Sequence, residues 1–162
     1  MDVNPYNHAI KLRESGQHDE AKSIFLELAD LDPLNASVWY QLAWVHDAMG
    51  LEQEAVPYYQ KALDLGLPED ERKGALLGLG STYRTLGMYE QSKNVYIQAI
   101  HEFPEQREFQ VFHAMVLYNL KQFGKAMEIL LTQLSETSEH EGIQQYKRAI
   151  LFYADKLDHV WS

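Results

Sequence analysis

The chain has 162 residues, no cysteine, 14 Lys and Arg against 24 Asp and Glu, and a formal charge of −10. That length fits one domain, and the lack of cysteine excludes a disulfide framework and thiolate chemistry. The acidic balance argues against nucleic acid, whose binding needs a basic surface, and no apolar run reaches the ~18 residues of a membrane span. Apolar residues make up 46% of the chain, enough for a substantial core. The start, MDVNPYNHAI, lacks a basic segment followed by an apolar one, so no secretory signal is read and a cytoplasmic protein is expected.

The first predicted hairpin covers about 3–15 and 18–31. Asp32-Pro33-Leu34-Asn35 connects it to the next: Pro33 stops one helix and Asn35 can cap another. The second hairpin, about 36–49 and 52–65, carries Trp39, Leu42, Ala43 and His46 on one helical face. Ala55, Tyr59, Ala62 and Leu63 form the face of its second helix, with Pro57 placed near the start. Next, Pro68-Glu69-Asp70-Glu71 marks a helix N-terminus. A long helix over about 69–86 and a partner over about 89–102 are predicted. The fourth hairpin is about 106–120 and 123–136. Ser138 with Glu141 fits a capping box, and Ile143, Tyr146, Ile150, Tyr153 and Leu157 then share a face. One capping helix is predicted there, over about 139–158, with a frayed HVWS ending.

These hairpins repeat. Gly16, Gly50 and Gly87 head equivalent turns and Lys121 takes the fourth place, at offsets of 34, 37 and 34. Ala9, Ala43, Gly80 and Ala114 recur in the first helices, and Ala21, Ala55, Ser92 and Ala126 in the second. Phe25, Tyr59, Tyr96 and Leu130 keep the same register. Paired small residues let two helix backbones approach, and the large ones fill the gaps beside them.

This pattern resembles the tetratricopeptide-repeat family. Trp39, Leu42, Ala43, Gly50, Ala55, Tyr59 and Ala62 match its signature, as do Leu79, Gly80, Tyr83, Gly87, Tyr96, Ala99 and Pro104, with Ser92 for the usual alanine. The first unit matches at Ala9, Gly16, Ala21, Phe25 and Pro33, while the fourth departs at Lys121 and Leu130. The resemblance implies an all-α, right-handed α-solenoid of about four helix hairpins plus a capping helix. The repeats are expected at about 2–35, 36–69, 73–106 and 107–138 of a single domain. The shared residues are structural, so fold is implied more strongly than function.

In such stacks the first helices line a concave surface. Projected onto this chain, that surface takes Tyr6, Asn7, Ile10 and Arg13 from the first unit and Tyr40, Gln41, Trp44 and Asp47 from the second. The third gives Gly74, Leu77, Gly78, Ser81 and Arg84, and the fourth Val111, Phe112, Met115, Tyr118 and Asn119. Aromatics with arginine are the composition of binding hot spots, and some of these side chains could equally fill a tight superhelix. Gly74, Gly78 and Ser81 are expected to leave a recess for a partner's apolar side chain. Tyr40, Trp44 and Tyr118 stand out as anchors, while Arg13 and Arg84 could meet an acidic group or pair with Glu14 or Asp47. Family members that grip a peptide carboxylate use cationic residues at places held here by Tyr6, Ile10, Gln41, Gly74 and Gly78, so that mode is not expected.

No enzyme is expected, and no cofactor. The seven histidines include no i+3 or i+4 pair, and His8 and His113 fall at packing positions. Gly78 and Gly80 follow no strand, Phe123-Gly124-Lys125 lacks the rest of a phosphate loop, and no nucleophile is set beside a base. The reading is a protein-interaction module for a peptide or helix of a partner protein. Two alternatives stay open: self-association, in which the aromatic tail ending in Trp161 could take part, and a domain sensing a small ligand.

Overall fold

Helix α1 (Pro5–Glu14) starts where Asn4 caps it, its side-chain oxygen accepting from the Tyr6 N–H at 2.9 Å, with Pro5 in the first turn. The structure, a computed structural model, describes residues 4–162, so the first residues of the repeat predicted at about 2–35 lie outside it. The helices that follow are α2 (His18–Leu31), α3 (Ala36–Ala48), α4 (Glu52–Leu65) and α5 (Glu69–Thr85). Then come α6 (Tyr89–Glu102), α7 (Glu108–Asn119), α8 (Phe123–Thr137), α9 (Glu141–Gln145) and α10 (Lys147–Tyr153). The chain separates into a unit ending at Met88 and a second from Tyr89 to Ser162.

One device closes every hairpin turn. The N–H two places past the last helical residue's cap bonds back five residues: Gln17 to Leu12, Leu51 to His46, Met88 to Tyr83 and Gln122 to Leu117, at 2.8, 2.9, 2.8 and 2.9 Å. This closure needs a left-handed residue, supplied by Gly16, Gly50 and Gly87 at φ 82°, 72° and 74°. In the fourth turn Lys121 adopts φ 65° although it bears a β-carbon.

In the first unit the paired small residues are sealed: Ala9, Ala21, Ala43 and Ala55 are all 0% exposed. Phe25, Val38, Leu42 and Val45 fill the space between α2 and α3. Trp39 fastens the connector, its indole N–H donating to the Pro33 carbonyl at 2.9 Å while its ring stacks on Tyr58 at 5.7 Å. Asn35 caps α3 as expected, accepting from Val38 N–H. The extra turn predicted for α5 is present, and α5 is the longest helix among the described residues, at 17 residues. The bounds of α4 match the prediction, and Pro57 lies inside the helix, where it removes one backbone bond on an exposed face that water can satisfy.

In the second unit Ala114, Leu117 and Ala126 form the core of the α7–α8 hairpin, with Ile129 and Leu130 against it. Arg107 joins the start of α7 to the end of α8, reaching Gln133 at 3.0 Å and Glu136 at 2.6 Å. The single capping helix predicted over 139–158 is instead two short ones, α9 and α10, broken at Tyr146. Gly142 weakens the first of them, and the Gln144 amide donates to the carbonyls of Ser135 and Ser138, pinning it to the end of α8. The expected Ser138–Glu141 capping box does not form: His140 is the N-cap of α9, and its own N–H bonds Ser138 Oγ at 3.2 Å. The stripe from Ile143 to Leu157 therefore does not run along one helix.

Candidate functional site

The first helices of the first unit bring together most of the residues predicted there. Arg13 near the end of α1 sets its guanidinium carbon over the Trp44 ring of α3, 3.6 Å from its centre. Its side chain is only 9% exposed, and Glu14 stands 3.5 Å away. Trp44 itself keeps 42% of its surface in solvent. One turn earlier on α3, the Tyr40 ring lies 5.9 Å from Trp44 and 6.4 Å from Tyr59 of α4. Trp44 is thus an exposed ring on an aromatic floor.

Beneath it the polar groups are tied together. Asp47 accepts from Tyr59 Oη at 3.2 Å and from Thr82 Oγ1 at 2.8 Å, joining α3, α4 and α5. Burial raises the Asp47 carboxyl above its ordinary value, against those two hydrogen bonds, which lower it. The Tyr59 hydroxyl is pushed up, first by burial and then by the Asp47 charge. At the other end Ser37 Oγ donates to Glu71. Tyr6 is raised by burial and by Glu71, while bonds to Gln41 and Ser37 act the other way. The Tyr40 hydroxyl is also raised, by burial. Gln41 Oε1 and Arg13 Nε are buried without a hydrogen-bond partner.

The recess expected at Gly74, Gly78 and Ser81 is corrected by the geometry. Tyr40 Oη fills the space over Gly74 and Tyr59 Oη the space over Gly78. The chain's own tyrosines occupy what the sequence suggests a partner would fill. Tyr40 is accordingly buried at 7% exposure and Gln41 at 5%. Ile10 and Tyr6 pack against the core, Tyr6 edge-on to Phe25 at 5.9 Å. Asn7 is exposed, and Leu77, Ser81 and Arg84 are half-buried along α5.

In the second unit, α7 presents its own set. Phe112 is half-buried with its ring 6.0 Å from Tyr96, and Met115 and Asn119 are half-buried beside it. Tyr118 is 61% exposed and stands edge-on to Phe123 at 5.0 Å. His113 is half-buried as expected, and burial lowers its affinity for a proton. His8, expected at a packing position, is exposed, because the α1 face it occupies has no helix against it. His46 is the histidine that is buried, its Nδ1 2.7 Å from the Leu42 carbonyl.

Ser37, Glu71 and Thr82 belong to this network although none is among the residues the sequence projects onto this face, where Glu71 reads only as part of a helix start. A signal existed: Ser37 and Glu71 lie 34 residues apart, and Asp47 and Thr82 lie 35 apart, each about one repeat. Among the described residues, no group of three or more His, Asp or Glu could hold a metal ion, and no helix is long and apolar enough to cross a membrane.

Comparison with known proteins agrees with this architecture. A curated relative, the protein O-mannosyl-transferase Tmtc3 of Drosophila melanogaster, is 23% identical over 149 residues. The match takes in 91% of this chain, which spans only 16% of that protein's length. Among solved structures, MamA (residues 41 to the end) from Desulfovibrio magneticus RS-1 superposes with a TM-score of 0.74 at 17% identity, covering 95% of this chain and 85% of that one. YrrB, described as a TPR protein with an unusual peptide-binding site, gives 0.65 at 20% identity, covering 98% and 88%. These likenesses establish the all-α helix-hairpin fold of the solenoid class. The family model described as Tetratrico peptide repeat matches residues 36–157, leaving out the α1–α2 hairpin that the structure shows to be built the same way. The chain belongs to the tetratricopeptide-repeat family.

Proposed function

We propose that this chain is a non-enzymatic adaptor that binds a peptide or helix of a partner protein along the faces of its first helices. Trp44 is the anchor in the first unit and Tyr118 in the second. The observation that carries this reading is Trp44: a large aromatic ring, 42% exposed, held from below by Arg13 at 3.6 Å and flanked by Tyr40. A solvated ring whose orientation is already fixed loses little entropy on binding, which is the physics of a hot spot. Gln41 Oε1, an acceptor, and Arg13 Nε, a donor, lack partners on the same face. A peptide amide carries both complements, an N–H for the one and a C=O for the other. The peptide-binding site described for YrrB adds weight to a peptide as ligand.

The test is selection of binding peptides from a random displayed library on the immobilised chain, followed by titration of the best peptide against variants. Trp44→Ala should weaken binding at least about 10-fold with melting and helicity preserved. Peptides that bind wild type and both Trp44→Ala and Tyr118→Ala equally would remove the site from these faces.

A further inference from the structure

The second unit ends in an aromatic surface that its own helices leave open. Nine residues after each hairpin turn, Phe25, Tyr59 and Tyr96 are sealed, at 0%, 3% and 0% exposure. The equivalent Leu130 of α8 is only half-buried, and Leu134 is 45% exposed where its counterpart Ala29 is 2%. Helix α10 lies against α8 yet turns its larger side chains outward. Tyr146, Phe152, Tyr153 and Trp161 retain 61%, 53%, 47% and 54% exposure. Tyr146, Phe152 and Tyr153 line one shallow recess, and Trp161 folds back to stand edge-on to Tyr153 at 5.5 Å and 6.4 Å from Phe152.

We propose that this surface is a self-association face, on which a second copy of the chain docks by the same residues about a two-fold axis. It shares no residue with the first-helix faces and does not depend on their occupant. Area is the first argument. Four half-exposed aromatic rings and the adjoining Val160 offer roughly 500–600 Å² per copy, so an isologous pair removes on the order of 1,000–1,200 Å² from water, where specific interfaces begin. Charge is the second. Residues 141–162 hold three acids and three bases, so they are neutral and the whole −10 lies in residues 1–140. Two acidic molecules therefore meet with least opposition at this end. A partner recognised by charge would find no net charge here, whereas an apolar face of this kind is complementary to itself.

The experiment is sedimentation velocity on the full chain from about 1 to about 200 µM, a range that spans the affinities expected of an interface this small. Wild type should pass from monomer to dimer. Trp161→Ala, which lies beyond the last helix, should weaken the dimer at least about 10-fold, and Phe152→Ser with Trp161→Ala about 100-fold, with unchanged helicity. The chain has no cysteine, so Glu141→Cys on α9, exposed and outside the recess lining, can carry a single spin label. Its dipolar coupling to the label on a second copy should weaken in Trp161→Ala and vanish when Phe152→Ser is added. A chain that stays monomeric throughout overturns the proposal and leaves the surface to a different protein. A dimer insensitive to both variants overturns it equally, because the contact would then lie elsewhere.

Discussion

The hydroxyl of Tyr40 stands where a β-carbon on residue 74 would have to go, with Tyr40 Cζ only 3.0 Å from that point. Tyr59 does the same to residue 78, where Cζ and Cε1 lie 2.6 and 2.8 Å away. Both glycines sit inside α5, where alanine would otherwise be favoured by about 0.5–1 kcal/mol. The crowding decides the sign. Gly78→Ala should destabilise by about 1–3 kcal/mol in urea unfolding, because Tyr59 is held by Asp47 and cannot withdraw. The two sites should differ in rescue. Removing the hydroxyl with Tyr40→Phe should relieve most of the Gly74→Ala defect, whereas Tyr59→Phe should leave Gly78→Ala crowded by ring carbons.

Lys121 holds a left-handed conformation, φ 65°, that the other three turns give to glycine. The β-carbon there costs about 1–2 kcal/mol, partly offset by the greater freedom glycine has in the unfolded chain. Lys121→Gly should therefore stabilise the protein by roughly 0.5–1 kcal/mol, read as a rise in the urea midpoint with unchanged slope. A fall would mean that the Lys121 ammonium near the Phe123 ring, 5.9 Å from its centre, contributes more than its distance suggests.

Asp47 has a pH signature. Its folded carboxyl is raised above the ordinary value of 3.8, chiefly by burial, so the native state holds that proton more tightly than the unfolded chain does. The unfolded state then binds fewer protons across the window from 3.8 up through the raised value, and stability falls as pH rises through it. Asparagine keeps an oxygen for Tyr59 and Thr82 without the charge. Asp47→Asn should gain stability relative to wild type between pH 4 and pH 7, and the difference should shrink below the unfolded value. A difference that stays constant with pH would show that Asp47 titrates alike in both states.

Much of the fold was readable because the pattern is periodic. Gly50, Ala43 and Ala55 mark a turn and the close approach of two helices, and the same offsets recur four times. The tail is not periodic, and there the sequence misled: Ile143 to Leu157 has helical spacing, yet Gly142 and the Gln144 bonds to α8 break it. Periodicity reports which side of a helix a residue takes, not what lies opposite. Tyr40 and Trp44 both project onto the predicted face, but Gly74 lets Tyr40 sink to 7% exposure while Trp44 stays at 42%. In a sequence Gly74 and Gly78 signal room for a partner, because a small residue leaves space whether or not a neighbour already fills it.

Three cross-links between α3 and α5 share one reach. Ser37 finds Glu71 at 34 residues, Asp47 finds Thr82 at 35, and Tyr40 lies 34 before Gly74. Each closes a loop of one repeat, so the entropy lost per contact is the same wherever along the unit it forms. No contact must wait for the far end of the chain. Assembly can begin at any hairpin and spread to its neighbour, at a rate set by the repeat length rather than by the number of repeats.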